Sequence, residues 1–232
     1  MWSQNLANVR PIKERSFSII ASWIYQLIIM QGSITSTNLT AYTQAETTTH
    51  HGHPDYRMFG MVMFLVAESA IFLGLFTAYL IYRSMSPIWP PEGTPERELL
   101  LPAINSVILI ASSFVMHQGQ TAIRKNDTKG LQLWLGLTAL MGAIFLSGQL
   151  YEYFHLEMGL TTNLFSSCFY VLTGFHGLHV TFGLMLILSV LWRSRTAGHY
   201  SSHSHFGVEA AELYWHFVDV IWVILFILVY LL

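Results

Sequence analysis

Charge is what this 232-residue chain has least of. Only 10% of its residues are Asp, Glu, Lys or Arg, against about a quarter in a soluble domain. That shortfall excludes an ordinary soluble enzyme. The 11 Lys and Arg are outnumbered by 13 Asp and Glu, and no basic stripe exists, which argues against a nucleic-acid partner. Cysteine is nearly absent. Cys168 alone permits no intrachain disulfide, no CxxC site and no cysteine-held cluster. There is no nucleophile elbow, phosphate loop or dinucleotide fingerprint. What is abundant is apolar sequence, 53% of the chain, with 14% aromatics, too many for disorder. An integral membrane protein remains.

A helix crosses a bilayer with about 20 mostly apolar residues. Five runs qualify, Met58–Tyr82, Leu100–Ile123, Leu131–Phe154, Phe165–Trp192 and Leu213–Leu232. The expected fold is therefore all-α, a polytopic bundle of five transmembrane helices. Strands of a barrel would be about 10 residues long and alternating, which these runs are not. Pro102 falls in the first turn of the second run, where its missing N–H costs nothing. The other prolines lie outside the runs, four of them in the loop Ser84–Glu98, which reads as a stiff, water-exposed connection.

If all five runs span, Arg57, Arg124, Lys125, Lys129, Arg193 and Arg195 share one side, and Arg83 and Arg97 the other. The positive-inside rule then places the segment before the first span in the cytoplasm and Leu232 outside. Residues 1–30 read as a leader of open status. Its apolar piece Phe17–Met30 is short and holds Gln26; as a sixth span it would move Arg10, Lys13 and Arg15 outside and erase the charge bias. An interfacial segment, a signal peptide and an overlong start remain open. Residues 31–56, rich in Thr and His, read as a disordered linker, and residues 57–232 as the membrane domain.

An ionisable group at membrane depth needs a partner or a job. Glu68 is the clearest case, the only charge between Met58 and Tyr82. An apolar setting there favours the neutral acid, either as a proton-active carboxyl or as a hydrogen-bond donor to a neighbouring helix. Ala70, Gly74 and Ala78 form a small-xxx-small face that invites close helix approach. His176 and His179 lie three apart in the fourth run, on one face, as ligands or as interhelical hydrogen-bonding groups. Glu68, His117 and His216 are the candidate further ligands, of which only Glu68 is expected at that depth. Glu212, His216 and Asp219 form an acidic-histidine cluster at the cytoplasmic end of the last run. Gln149 and Glu152, beside Tyr151 and Tyr153, look like interfacial groups at the outer end of the third. His50, His51 and His53 read as part of a polar tail. No redox catalyst can be assembled from these residues, so an accessory subunit is the residue-level reading.

Five motifs carry a resemblance. They are Ala67-Glu68-Ser69 with the run to Phe76; Asn105-Ser106 with Ser112-Ser113; Gln149-Leu150-Tyr151-Glu152-Tyr153; Thr173-Gly174-Phe175-His176-Gly177-Leu178-His179-Val180; and His205-Phe206-Gly207-Val208-Glu209-Ala210-Ala211 continuing through Tyr214-Trp215-His216-Phe217-Val218-Asp219-Val220-Ile221-Trp222. From Tyr56 to Leu232 the chain resembles subunit III of the haem–copper oxidases, on its cytochrome c oxidase branch; residues 1–55 lie outside these motifs. The resemblance implies a proton-pumping complex that reduces oxygen with electrons from cytochrome c. It implies haem and copper in subunits I and II and no metal in this chain. It also implies packing on subunit I, bound phospholipid, support of proton uptake, and Glu68 as the family's carbodiimide-reactive glutamate. Many relatives have seven spans with a lipid cleft between the first two and the rest. With only five here, the missing wall is expected from subunit I or from lipid.

Subunit III of quinol oxidases and the accessory protein of nitric oxide reductases are neighbouring readings. A different class is the membrane di-iron hydroxylase, whose histidine boxes His50-His51-Gly52-His53, His176–His179 and His203-Ser204-His205 mimic. Those boxes must meet at one aqueous face, whereas here one pair sits mid-membrane.

Overall fold

A computed structural model describes residues 56–95, 99–196 and 198–232. The leader, the linker up to residue 55 with His50, His51 and His53, and Arg97 lie outside the described residues. Five helices follow in order: α1 (Tyr56–Met85), α2 (Leu100–Arg124), α3 (Thr128–His155), α4 (Leu164–Arg193) and α5 (Phe206–Phe226), which runs on as a π-helical turn over Ile227–Leu231. All five are long and apolar enough to cross a membrane. Four of them match the apolar runs within a few residues. The fifth begins at Phe206 rather than Leu213. Its first two turns carry Glu209 and Glu212, and each carboxylate has a partner: His205 Nε2 lies 3.2 Å from Glu209 and His117 Nδ1 3.0 Å from Glu212. Paired acids extend a helix that an apolar window stops.

α2, α3, α4 and α5 form a ring, each touching the next, and α1 lies against α4 and α5. The α2–α3 connection is tight. Asn126 adopts φ 59°, a conformation asparagine tolerates better than most residues. Asp127 then caps α3, its carboxylate accepting the Gly130 N–H at 2.9 Å. The Asn126 side chain accepts the Ser202 N–H at 2.7 Å, fastening this turn to the segment before α5.

The loop after α1 is less exposed than its prolines suggest. Trp89 sets its ring edge-on to Tyr79 and Phe165, at 5.6 and 5.5 Å, and donates to the Tyr79 hydroxyl. α4 opens with a capping box in which Asn163 Oδ1 accepts the Ser166 N–H at 2.7 Å and Ser166 Oγ accepts the Asn163 N–H at 3.0 Å. Asn163 also donates to Thr94 of that loop. Asn163→Ala is expected to cost about 1 kcal/mol, read as a lowered thermal midpoint of the purified protein.

The core is aromatic. Trp215 and Trp222 of α5, Tyr79, Phe72, Phe145, Phe165 and Phe169 are essentially inaccessible. α5 is pinned to α2 by an antiparallel ladder. Trp215 Nε1–H donates to Ser112 Oγ at 2.9 Å, and Trp222 Nε1–H to Ser106 Oγ at 2.8 Å. Buried indoles need such acceptors, and in hydrocarbon no water substitutes for them.

Candidate functional site

The polar residues at membrane depth fall into three groups. The first joins α1 to α4. Glu68 lies twelve residues past the start of α1, about 18 Å along the axis, and its Oε2 is 3.0 Å from His179 Nε2. His179 Nδ1 is 2.8 Å from the Phe175 carbonyl. A carbonyl only accepts, so Nδ1 carries a hydrogen. Nε2 therefore either accepts from a protonated Glu68 or, in the imidazolium, donates to its carboxylate. Phe72 covers the imidazole at 4.8 Å between ring centres, and the Tyr214 hydroxyl donates to the His179 carbonyl at 3.3 Å.

His176 does not join this pair. Three residues advance a helix by 300°, so the two imidazoles diverge by about 60°. On α4, which has neighbours on several sides, that is enough to send them into different interfaces. His176 is fully buried between Phe145 and Trp222, with ring centres at 5.9 and 4.9 Å, and neither nitrogen has a hydrogen-bond partner. The shared face expected from the H-x-x-H spacing is thus split.

The second group links α2 to α5. His117 Nδ1 is 3.0 Å from Glu212 Oε1, and His216 Nε2 is 3.6 Å from the same oxygen. His216 Nδ1 contacts Ser113 Oγ at 3.0 Å, and Ser113 in turn donates to Asp219 Oδ2. Glu212, His216 and Asp219 are therefore brought together as their spacing suggests. His117 and Ser113 complete the chain from the opposite helix. Ser113 stands in the sequence only within the Ser112-Ser113 motif; the antiparallel register of α2 and α5 is what gives it His216 and Asp219 as partners.

The third group stands at the outer end of α3. Gln149 is only 5% exposed and makes an interhelical polar contact. It donates to the Thr173 carbonyl at 2.9 Å and to the Tyr153 hydroxyl at 3.3 Å. Tyr153 also meets Thr173 Oγ1 at 2.6 Å. Glu152 accepts from the Tyr230 hydroxyl at 3.0 Å, tying α3 to the end of α5.

Among the described residues no group of three or more His, Cys, Asp or Glu is arranged to hold a metal ion. His205 is engaged by Glu209 and the Ser201 carbonyl, far along the chain from buried His176. The small face of α1 is largely open in this chain. Ala70 and Gly74 are exposed, and a side chain added at Gly74 would meet nothing within 4 Å. Ala78, half-buried, faces α4 across a small pocket with Cys168 and Leu172. The close approaches occur at Gly142 and Gly148 instead.

A family model described as cytochrome c oxidase subunit III matches residues 17–232, reaching upstream of Tyr56, where the quoted motifs begin. The chain is 76% identical over 212 residues to the cytochrome c oxidase subunit 3 of Synechocystis sp., covering 90% of this chain and 91% of that protein. It is 56% identical over 203 residues to the subunit 3 of Thermostichus vulcanus, 88% and 98% of the two chains. A probable cytochrome c oxidase subunit 3 of Nocardia farcinica is 38% identical over 181 residues, 76% and 88%.

Proposed function

The chain belongs to the cytochrome c oxidase subunit III family and is a multi-pass membrane subunit of that oxidoreductase complex; from this premise we propose that it carries no redox centre, braces subunit I, binds phospholipid and supports proton uptake. The hydroxylase and quinol-oxidase readings find no support in these relatives. Haem and copper belong, in this reading, to subunits I and II, and electrons arrive from a cytochrome c-type donor. The segment before α1 is cytoplasmic and Leu232 lies outside, as the placement of Arg57, Arg124, Lys125, Lys129, Arg193 and Arg195 favours. The wall that seven-span relatives build from two further helices comes from subunit I or from lipid.

One observation carries the reading best. Several ionisable side chains of the spans meet across helix interfaces, while His176 stands apart between Phe145 and Trp222. Glu68 meets His179, Glu212 holds His117 and His216, and Ser113 joins His216 to Asp219. Such pairs fix helices against one another. Pairing across helix interfaces is the work of a bracing subunit, the role proposed here beside subunits that carry the centres. The experiment is purification of the complex from membranes. Subunits I and II are expected to accompany this chain, with haem and copper absent from the chain once separated. A visible haem or copper spectrum on the separated polypeptide, with oxygen consumption by it alone, would overturn the proposal.

Glu68 is the position that matches the family's carbodiimide-reactive carboxyl. Glu68→Gln is expected to abolish labelling of this chain by a hydrophobic carbodiimide while the complex still assembles. The amide keeps a hydrogen-bonding partner for His179 but offers no carboxyl to react. Undiminished labelling of Glu68→Gln would place the reactive group elsewhere.

A further inference from the structure

From the end of the bundle assigned above to the cytoplasm, a line of polar atoms runs inward between α2 and α5. It starts at two imidazoles whose side chains are open, His117 at 57% exposure and His216 at 43%. Glu212 stands between them, its Oε1 3.0 Å from His117 Nδ1 and 3.6 Å from His216 Nε2. The other nitrogen of His216 faces inward. Nδ1 is 3.0 Å from Ser113 Oγ, and Ser113 is hydrogen-bonded to Asp219 Oδ2. Asp219 is only 7% exposed, and its Oδ1 is buried without a donor. It lies two turns further along α5 than Glu212, about 10 Å deeper.

We infer that this line is a proton-holding site, in which His216 takes a proton from water on Nε2 and Ser113 passes one from Nδ1 to Asp219. This deepens the proposed support of proton uptake and rests on it. Ser113 is the decisive residue. A hydroxyl has one hydrogen to give and lone pairs to accept, so the same heavy-atom geometry serves two arrangements. In one, His216 Nδ1–H donates to Ser113 Oγ, whose hydrogen goes to an Asp219 carboxylate. In the other, an Asp219 carboxyl donates to Ser113 Oγ, whose hydrogen goes to a bare Nδ1. Passing between them moves one proton from Nδ1 to Oγ while the hydroxyl's own proton moves from Oγ to Oδ2. His216 begins as the imidazolium and ends neutral, with Nε2–H toward Glu212; Asp219 begins as the carboxylate and ends as the acid. An oxygen without a donor costs less in hydrocarbon on a neutral acid than on a carboxylate, and Oδ1 is such an oxygen. Glu212 is a positioning residue: it keeps a carboxylate beside Nε2, where the proton arrives, and His117 holds it there. The titratable groups facing this line are thus His216 and Glu212 on α5 and His117 on α2. On the other helices Glu68 and His179 meet each other, His176 packs on Trp222, and Glu152 accepts from Tyr230.

The test is time-resolved infrared spectroscopy of the whole purified oxidase after a jump from about pH 9 to about pH 6, across the ordinary range of an imidazole. A protonated-carboxyl band that grows after the jump, and is missing from Asp219→Asn, is expected. Ser113→Ala removes the hydroxyl that carries the proton. Its band is expected to appear about a hundredfold more slowly, the low end for a positioned proton-transfer group, and Ser113→Thr to restore the speed. A hydroxyl that served structure alone would alter the height of the band and leave its rate unchanged. The inference is overturned if no band separates the unsubstituted oxidase from Asp219→Asn, or if Ser113→Ala fills as fast as the unsubstituted protein. Should Asp219→Asn fail to accumulate, the comparison of alanine with threonine at position 113 decides the matter. Proton uptake by the oxidase during turnover separates the two readings. If Asp219 loads through Ser113 but uptake is unchanged in Ser113→Ala, the site stands and the proposed support of uptake falls. If uptake depends on this subunit but Asp219 gives no band, the support stands and the site falls.

Discussion

Trp215→Ala is expected to destabilise the chain by about 3 kcal/mol, near the lower end of the range for emptying a tryptophan site in a protein core. The lower end applies because a bilayer returns part of the transfer term. Lipid tails are as apolar as the protein interior, so what is lost is packing and not removal from water. Trp215 is fully buried, and its indole stands over the backbone of two helices. A Cβ built on Gly142 of α3 would come within 2.7 Å of its Cη2, and one built on Gly183 of α4 within 3.0 Å of its Cε3. The ring therefore joins α5 to α3 and α4, while its N–H reaches Ser112 on α2. One side chain touches three of the other helices of the ring. Ser112 is not stranded by the change, since it also donates to the Leu109 carbonyl at 2.6 Å, so the cost is dominated by the cavity. The coupling with Gly142 gives a sharper reading. Gly142→Ala alone forces the ring aside and costs about 1–3 kcal/mol; in the Trp215→Ala background the same methyl enters vacated space and costs nothing or restores stability. Thermal unfolding of the four proteins of this cycle in detergent measures the interaction, expected at about 2 kcal/mol. Additive losses would show that Gly142 and Trp215 do not meet.

The five spans are legible because bilayer crossing is a local property of composition, and a window of about 20 residues contains the whole signal. The start of α5 is not, because Glu209 and Glu212 look like a boundary until His205 and His117 are seen beside them. The His117 pairing is tertiary, while the His205 pairing is an i,i+4 contact that an apolar window does not weigh. The same distinction runs through the polar residues. Glu68 stands out as a lone charge in an apolar run, and the cluster Glu212, His216 and Asp219 stands out by its spacing. That Glu68 finds His179 while His176 turns to Phe145 and Trp222 depends on which helices flank α4, which no residue in α4 states. Close helix approach is legible least of all. The Ala70, Gly74 and Ala78 stripe has the pattern yet lies largely open among the described residues, because a small residue permits approach without requiring it. Gly142 and Gly148 stand within no comparable stripe. What makes them necessary is the large side chain opposite, Trp215 in one case and Asn105 in the other.

Gly148→Val is expected to be nearly as damaging as loss of Trp215, and for the opposite reason. Here nothing is removed; a side chain is placed where another already stands. A Cβ on Gly148 would overlap the carboxamide of Asn105, its Oδ1 and Nδ2 both in the way and its Cγ at 2.7 Å. Asn105 is 4% exposed, on the face of α2 that meets α3, and it has no open direction in which to swing. Overpacking of this kind costs about 1–3 kcal/mol, and shifting a buried amide within a bilayer-spanning bundle, where no water can serve it, adds to that. A total of about 3 kcal/mol, the upper end of that range, follows. Valine cannot retreat, since its branched Cβ has one dominant rotamer in a helix. Alanine is the gentler probe and is expected to lose about half as much. The reciprocal change decides whether collision is the cause. Asn105→Ala frees the volume that Gly148→Ala fills, so the double variant is expected to be more stable than Gly148→Ala alone despite carrying one more substitution. If Asn105→Ala instead deepens the loss by its own full cost, the α2–α3 contact does not depend on this pair, and Gly148 tolerates a side chain by some other movement of the helices.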